Sequence, residues 1–303
     1  MATPTVTTGG APAVAAGPPV ASGAPRVLRG RGTAWLLAPP LAFLAVFLAA
    51  PIAVVFTTAI GDGPGAVVEV VTRPIFVDAL LRTTRMAVVV TAICLLLGVV
   101  YAVALTTTTG RRRGALLAVL FATFWVSLLV RTYGWIVLFQ PFGVLHDLLS
   151  GIGVYDGRIE LLQTPWAMYA GMTHILLPYM VLPVYSALTQ LDGRQIAAAQ
   201  SLGAPTGVIL RRIVLPQIRT GVVAGAVLVF VLSLGFYVTP VFLGGPDQLT
   251  LGTLIQREFG QAFDFAAAST MGAALLVLVT LVFVVMNRLF RVSDHWEGAL
   301  GAR

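Results

Sequence analysis

The chain has 303 residues, of which 58% are hydrophobic and only 10% are charged, and its mean hydropathy is +0.92. Soluble domains carry about 25% charged residues, so this composition excludes a wholly soluble protein. All 19 basic residues are arginine, which excludes both the lysine of a P-loop and a lysine Schiff base. One cysteine and three dispersed histidines offer no intrachain disulfide and no metal site.

The order of polar and apolar segments predicts an all-α, polytopic membrane protein. Residues 1–33 are rich in Ala, Pro, Gly and Thr, which predicts a disordered tail. Six apolar stretches follow, each near the ~20 residues that a membrane-spanning helix needs. They lie near 34–60, 84–106, 115–138, 166–188, 218–241 and 266–288. We therefore expect a transmembrane domain over 34–290 and a second tail over 291–303.

The placement of arginine predicts the orientation. With the N-terminus inside, 13 arginines fall in inner segments and 5 in outer segments, whereas 9 of the 12 acids lie outside. Cytoplasmic segments of membrane proteins carry an excess of Arg and Lys. We therefore expect six spans in the plasma (inner) membrane with both termini cytoplasmic. The pI near 10.3 is interpreted as this topology signal rather than as nucleic-acid binding.

The inner loop, residues 189–217, is more ordered than a passive connector. Residues 195–202 favour a helix that stops at Gly203. After Pro205, residues 206–214 favour a second short helix that ends at Pro216. The loop is therefore predicted to be two short helices joined by a Gly/Pro turn.

This loop resembles a cytoplasmic motif of the permease subunits of binding-protein-dependent ABC importers. The family motif is Glu-Ala-Ala, a Gly four residues after the second Ala, and Ile-x-Leu-Pro after nine more residues. The matching positions here are Ala197, Ala198, Ala199, Gly203, Ile213, Leu215 and Pro216. In the family this short helix docks into an ATPase subunit, so the resemblance implies an ATPase-coupling loop, with Leu202 on its apolar docking face. Ala197 stands where the family usually has Glu, which removes one polar contact.

Three further stretches are similar to the spermidine/putrescine branch of that family: residues 124–135, 174–192 and 234–246. The branch also includes permeases for other small organic solutes. A polyamine is therefore the expected substrate, and an amino-acid-like or anionic solute stays open.

The resemblance also implies a division of labour among several chains. Such permeases work with a second permease, two copies of an ATP-binding subunit and a periplasmic or lipid-anchored solute-binding protein. This chain is then a transport subunit and not an enzyme, with no cofactor of its own. ATP and Mg²⁺ belong to the partner ATPase.

The third predicted span holds one charge, Arg131, among aromatic residues. A charge within a span is costly and is a candidate functional residue. The alternatives are that Arg131 reaches the outer interface or pairs with an acid such as Asp147. Trp125, Tyr133 and Trp135 are either interfacial anchors or an aromatic path for an ammonium substrate.

Residues 235–240, in the fifth predicted span, carry a Gly and a Pro that disfavour helix. Irregular backbone at membrane depth is tolerated where it lines a cavity, so this turn is a candidate translocation path, with a simple kink as the alternative. The candidate residues are Phe236, Tyr237, Thr239 and Pro240. Relatives often have an acid where Phe236 stands, and the six predicted spans contain no acid. The lack of acids argues against an ion-coupled secondary transporter, the less favoured alternative.

Three further segments carry local signals of helix packing, of a buried histidine and of a short surface helix. Gly221 and Gly225 form a GxxxG pattern, which predicts close helix packing. His174 is interpreted as a hydrogen-bonded packing residue in preference to a proton relay. Residues 144–149 place apolar side chains at helical spacing, which predicts a short amphipathic helix in an outer loop.

Overall fold

The computed structural model describes residues 31–153, 157 and 160–290, with side chains from residue 38 to residue 288 in these ranges. The predicted tail over 291–303, and residues 1–30 of the tail predicted over 1–33, therefore lie outside the described residues. The chain divides into two units, Met1–Ile52 and Ala53–Arg303. The described part of the first unit belongs to one helix. All the packing described below lies within the second.

The described residues are nearly all helical and contain no strand, which confirms the predicted all-α class. The helices are α1 (Arg31–Gly61), α2 (Pro64–Thr72), α3 (Pro74–Thr107), α4 (Gly110–Trp125), α5 (Leu128–Phe139), α6 (Val144–Gly151), α7 (Pro165–Thr189), α8 (Gly193–Ser201), α9 (Thr206–Ile209), α10 (Leu215–Leu234), α11 (Val238–Leu243), α12 (Leu251–Arg257) and α13 (Phe265–Phe290). The short helix predicted in the outer loop is α6.

Five helices of the described chain are long and apolar enough to cross a membrane. A sixth span exists if α4 and α5 are taken together, although the chain bends by 104° between them. The prediction of one continuous helix over 115–138 is therefore wrong. Val126 and Ser127 adopt extended backbone angles, with ψ of 128° and 139°, and interrupt the helix. Hydropathy measures apolar length, which continues through these two residues, and is blind to the bend.

The prediction that a short helix ends at Pro216 is also wrong. A π-helical turn over Leu210–Val214 joins α9 to α10, and the helical segment runs on to Leu234. The amide of Leu215 donates to the carbonyl of Leu210, five residues back. Pro216 follows as the second residue of α10, directly after the π-helical turn. The wider turn thus lets the chain pass Pro216 as a helix.

The core is a three-helix contact among α3, α7 and α10. Glycines on α3 and α10 allow the close approach: a Cβ built on Gly98 would lie 2.5 Å from Met180 Cγ, and one on Gly225 would lie 2.8 Å from Met180 Sδ. A Cβ on Gly221 would lie 2.6 Å from the carbonyl oxygen of Pro183. Both glycines of the predicted GxxxG pattern therefore face α7, which confirms close packing there.

The segment after α11 is fixed to α3. The buried amide of Leu251, at the start of α12, donates to Thr83 Oγ1 at 2.7 Å. Thr250 caps α12 and exchanges hydrogen bonds with Thr253, as in a capping box. The bond to Thr83 holds the start of α12 against α3.

Candidate functional site

The predicted coupling helix is α8, and its end has the geometry expected from the sequence. Gly203 has φ of +75°, a conformation that glycine adopts without strain. Its amide donates to Gln200 O at 2.9 Å, and the amide of Ala204 donates to Ala199 O at 3.0 Å. This pair of bonds is a Schellman motif, which satisfies the last carbonyls of the helix. The predicted helix stop at Gly203 is confirmed.

One face of α8 is exposed, and another is hydrogen-bonded to α10. Ala197 and Ala198 are exposed, and Leu202 is 88% exposed although it is a large apolar residue. Gln217, in the first turn of α10, donates through Nε2 to Gln195 Oε1 at 2.9 Å. The hydrogen bond links α8 to the first turn of α10, a long apolar helix. The exposed residues form a surface that a partner could cover.

The rest of the motif lies beyond the turn. Ala199 is half-buried in α8, and Ile213 is half-buried within the π-helical turn. Leu215 and Pro216 are exposed in the first turn of α10. The motif therefore joins α8 to a membrane-length helix through an irregular turn.

The bend between α4 and α5 carries the first group of candidate path residues. Trp125 ends α4 and is 89% exposed, and Tyr133 on α5 is 65% exposed. Arg131 is half-buried, and its Nε is buried without a hydrogen-bond partner among the residues that the structure describes. No carboxylate of the described chain lies within ion-pair distance of it. Asp147, considered above as a partner, lies 3.3 Å from His146 Nδ1 instead.

Trp135 faces inward and joins α5 to α7. Its indole Nε1 donates to His174 Nδ1 at 3.2 Å, and the two rings meet edge to face with centroids 5.9 Å apart. Because His174 accepts through Nδ1, a neutral ring carries its proton on Nε2. The ring of Phe139 lies 5.1 Å from that of Trp135. The expectation of a hydrogen-bonded packing histidine is confirmed.

The break predicted after α10 is present at residues 235–237. Phe236 is half-buried against the core, whereas Tyr237 is 49% exposed. Thr239 and Pro240 are buried in α11, and Thr239 Oγ1 has no hydrogen-bond partner within the described part of the chain. A buried hydroxyl without a partner costs free energy unless water or a ligand group meets it.

Gly171 on α7 brings two of the candidate segments together. A Cβ built on Gly171 would lie 2.9 Å from Thr239 Cγ2, 2.6 Å from Leu243 Cδ1 and 3.8 Å from Trp135 Cδ1. Trp135 and Thr239 thus approach α7 at the same glycine. Trp125 and Tyr133 are exposed and take no part in this contact. Sequence reasoning missed Gly171, because a lone glycine in an apolar helix carries no local signal of close approach.

Comparison with known proteins identifies the family to which this architecture belongs. Residues 95–296 match the family described as binding-protein-dependent transport system inner membrane component. The spermidine/putrescine transport system permease protein PotB of Escherichia coli is 32% identical over 221 residues, which cover 73% of this chain and 80% of that protein. PotB of Haemophilus influenzae is 33% identical over 216 residues, covering 71% and 76%.

A solved structure shares the fold. A chain in the crystal structure of a bacterial alginate ABC transporter, in complex with alginate pentasaccharide-bound periplasmic protein, superposes with a TM-score of 0.76 at 18% identity. The match covers 88% of this chain and 97% of that chain. With the family match and the identity to both PotB proteins, this chain belongs to the inner membrane components of binding-protein-dependent transport systems, the permease subunits of ABC importers.

Proposed function

We propose that this permease moves a polyamine such as spermidine or putrescine into the cell. The observation that carries the proposal is the identity of about a third with PotB proteins over most of both chains. The solved alginate transporter is far less similar in sequence and supports the fold alone.

The proposed topology has six spans, with α4 and α5 together forming the third. Both termini are cytoplasmic in this arrangement, and the membrane domain covers 34–290. The loop over 189–217 then lies in the cytoplasm together with the arginine-rich first turn of α4. The support is the arginine distribution, since cytoplasmic segments carry the excess of positive charge.

The proposed partners are a second permease, two ATP-binding subunits and a solute-binding protein. The ATP-binding subunits hold ATP and Mg²⁺, and one of them covers α8. The exposed Leu202 and the exposed alanines of α8 support this docking, because covering a large apolar side chain removes it from water and lowers the free energy. The bond between Gln195 and Gln217 gives that partner a mechanical link to α10.

The proposed substrate path runs along the α10–α11 break and the α4–α5 bend. Tyr237 offers an exposed ring at the break, and Trp125 and Tyr133 offer exposed rings at the bend. Aromatic faces attract alkylammonium groups by about 0.5–2 kcal/mol each. The hydroxyl of Thr239, which has no partner among the described residues, adds an acceptor beside the break. This arrangement handles a cation without an acid in the six spans predicted from the sequence.

A second candidate substrate is an anionic or amino-acid-like solute. Arg131 favours it, because the described chain supplies this guanidinium with no carboxylate. An anionic substrate group would meet that charge.

Uptake of labelled spermidine in cells with and without the gene tests the proposal. We expect gene-dependent uptake that stops on ATP depletion and that unlabelled putrescine competes away. Uptake that survives ATP depletion but collapses with the ion gradient would contradict the ABC mechanism. Absence of gene-dependent uptake would contradict the polyamine assignment and would direct the search to anionic solutes and Arg131→Gln.

A further inference from the structure

We propose that Arg111, Arg112 and Arg113 form a binding site for the headgroup of an anionic phospholipid. The three residues are consecutive in the first turn of α4, directly after a turn at Gly110, whose φ is +59°. The turn follows the end of α3 at Thr107 after two residues. The arginines therefore sit where the chain re-enters an apolar helix.

Arg113 fixes the cluster against α7. Its guanidinium donates a hydrogen bond to the hydroxyl of Tyr185, and its Cζ lies 5.7 Å from the centroid of that ring. Tyr185 is one turn from the end of α7 at Thr189. One arginine is thus held in place by the protein, and the cluster has a defined position.

Arg111 and Arg112 are exposed, and the described chain gives neither an ion-pair partner. The carbonyls at the end of α3 are already engaged: Ala104 O accepts from both the amide and the hydroxyl of Thr108, at 3.1 Å and 2.7 Å. Val103 O accepts two further threonine hydroxyls. The two exposed guanidinium groups are therefore available to bind an anion from outside the described residues.

The electrostatics of α4 also favour an anion at this position. A helix carries partial positive charge at its N-terminus, where anions are stabilised and cations are not. Three arginines in the first turn of a 16-residue helix repel both that end of the helix and one another. A phosphate group placed among them offsets both repulsions. The planar guanidinium group of arginine also matches the spacing of two phosphate oxygens.

The apolar residues that follow indicate a lipid rather than a free phosphate. Val119 is 64% exposed and Phe121 is 43% exposed, and both lie on α4 within three turns of the arginines. A phospholipid can place its headgroup on the guanidinium groups while its acyl chains cover these side chains. Juxtamembrane arginines attract anionic lipids in this way.

The test measures phosphatidylglycerol bound to the full chain, purified with its importer partners in phosphatidylcholine–detergent micelles, by native mass spectrometry during a phosphatidylglycerol titration. We expect Arg111→Gln/Arg112→Gln to weaken binding of the tightest phosphatidylglycerol about tenfold or more. Arg111→Lys/Arg112→Lys keeps the charge and should keep most of the affinity. The matched control is Arg82→Gln/Arg85→Gln, which removes two exposed charges near the other end of α3.

Equal losses in the matched control and in the Arg111/Arg112 variant, or no loss in either, would overturn the proposal. Displacement of phosphatidylglycerol by 10 mM inorganic phosphate would assign the site to free phosphate instead. Loss of the ATP-binding subunit from the Arg111/Arg112 variant, in micelles without phosphatidylglycerol, would assign the arginines to a protein contact and overturn the proposal. If the double variant fails to assemble, Arg112→Gln alone serves, and an affinity equal to wild type then overturns the site.

Discussion

The indole Nε1 of Trp135 donates a hydrogen bond to His174 Nδ1 at 3.2 Å and so ties α5, the second half of a bent helix pair, to the core helix α7. An interhelical hydrogen bond in a membrane contributes about 1 kcal/mol. Trp135→Phe keeps an aromatic ring beside Phe139 but removes the donor. We expect the free energy of unfolding in detergent to fall by about 1 kcal/mol.

The control for this change is Trp125→Phe, since Trp125 is 89% exposed. Chemical denaturation of both variants, followed by circular dichroism, measures the difference. Equal stability of the two variants would show that the bond to His174 contributes nothing to holding α5.

Gly221 tests the close packing of α10 on α7. A Cβ at this position would lie 2.6 Å from both Pro183 O and Ala187 Cβ, and neither atom can swing aside. Gly221→Ala should therefore destabilise the protein by about 1–3 kcal/mol, as overpacking does. Gly272→Ala on α13 is the matched control, because no atom of another described segment lies within 4 Å of a Cβ built there. Thermal unfolding that ranks the two variants in the opposite order would refute the packing argument.

The helix that contains Gly221 shows what sequence could and could not predict. Gly203 was predictable as a helix stop, because a C-terminal glycine acts through local backbone conformation. The break at 235–237 was predictable for the same local reason. Continuation of the helix through Pro216 was not predictable from the sequence. The π-helical turn that accommodates this proline depends on the helix on both sides of it.

The contacts that hold the helices together depend on pairs of residues distant in the sequence. Trp135 and His174 are 39 residues apart, and Arg113 and Tyr185 are 72 residues apart. Periodicity and composition describe each segment alone and carry no information about which faces of two helices meet. Gly171 is meaningful only once Thr239 and Trp135 are placed beside it.

Ala197 on α8 is exposed and occupies the position of an acid in the family motif. Ala197→Glu should strengthen binding of the ATP-binding subunit and raise transport-coupled ATPase activity, because it restores a charged hydrogen-bond acceptor at the docking face. Gln195→Glu is the control: it adds the same charge on the opposite face, and a carboxylate still accepts from Gln217 Nε2. If neither affinity nor coupled activity changes with Ala197→Glu, this position makes no contact in the complex.

Leu202 tests the docking of α8 through its apolar surface. Burying a leucine side chain is worth about 1.5–3 kcal/mol, so Leu202→Gln should weaken binding of the ATP-binding subunit about tenfold or more. The fold should be unaffected, since Leu202 is 88% exposed. Ile152→Gln, at a residue 70% exposed just after α6, is the control for loss of an exposed apolar group. Undiminished affinity after Leu202→Gln, measured by surface plasmon resonance, would exclude Leu202 from the interface.

Tyr237 tests the substrate path. Tyr237→Ala should lower the rate of spermidine uptake by about two- to thirtyfold, the equivalent of one lost cation–π contact. Tyr237→Phe keeps the ring face and should transport at near the wild-type rate. A loss in the Phe variant equal to that in the Ala variant would assign the role of Tyr237 to its hydroxyl.

The most direct test of the central claim is spermidine accumulation in proteoliposomes that contain this permease with its partner subunits. The vesicles enclose ATP and Mg²⁺, and the solute-binding protein and labelled spermidine are added outside. We predict accumulation above the outside concentration, which stops when a non-hydrolysable analogue replaces ATP or when the solute-binding protein is omitted. Accumulation that is the same with the analogue as with ATP would contradict an ATP-driven importer, and absence of any accumulation would contradict a polyamine substrate.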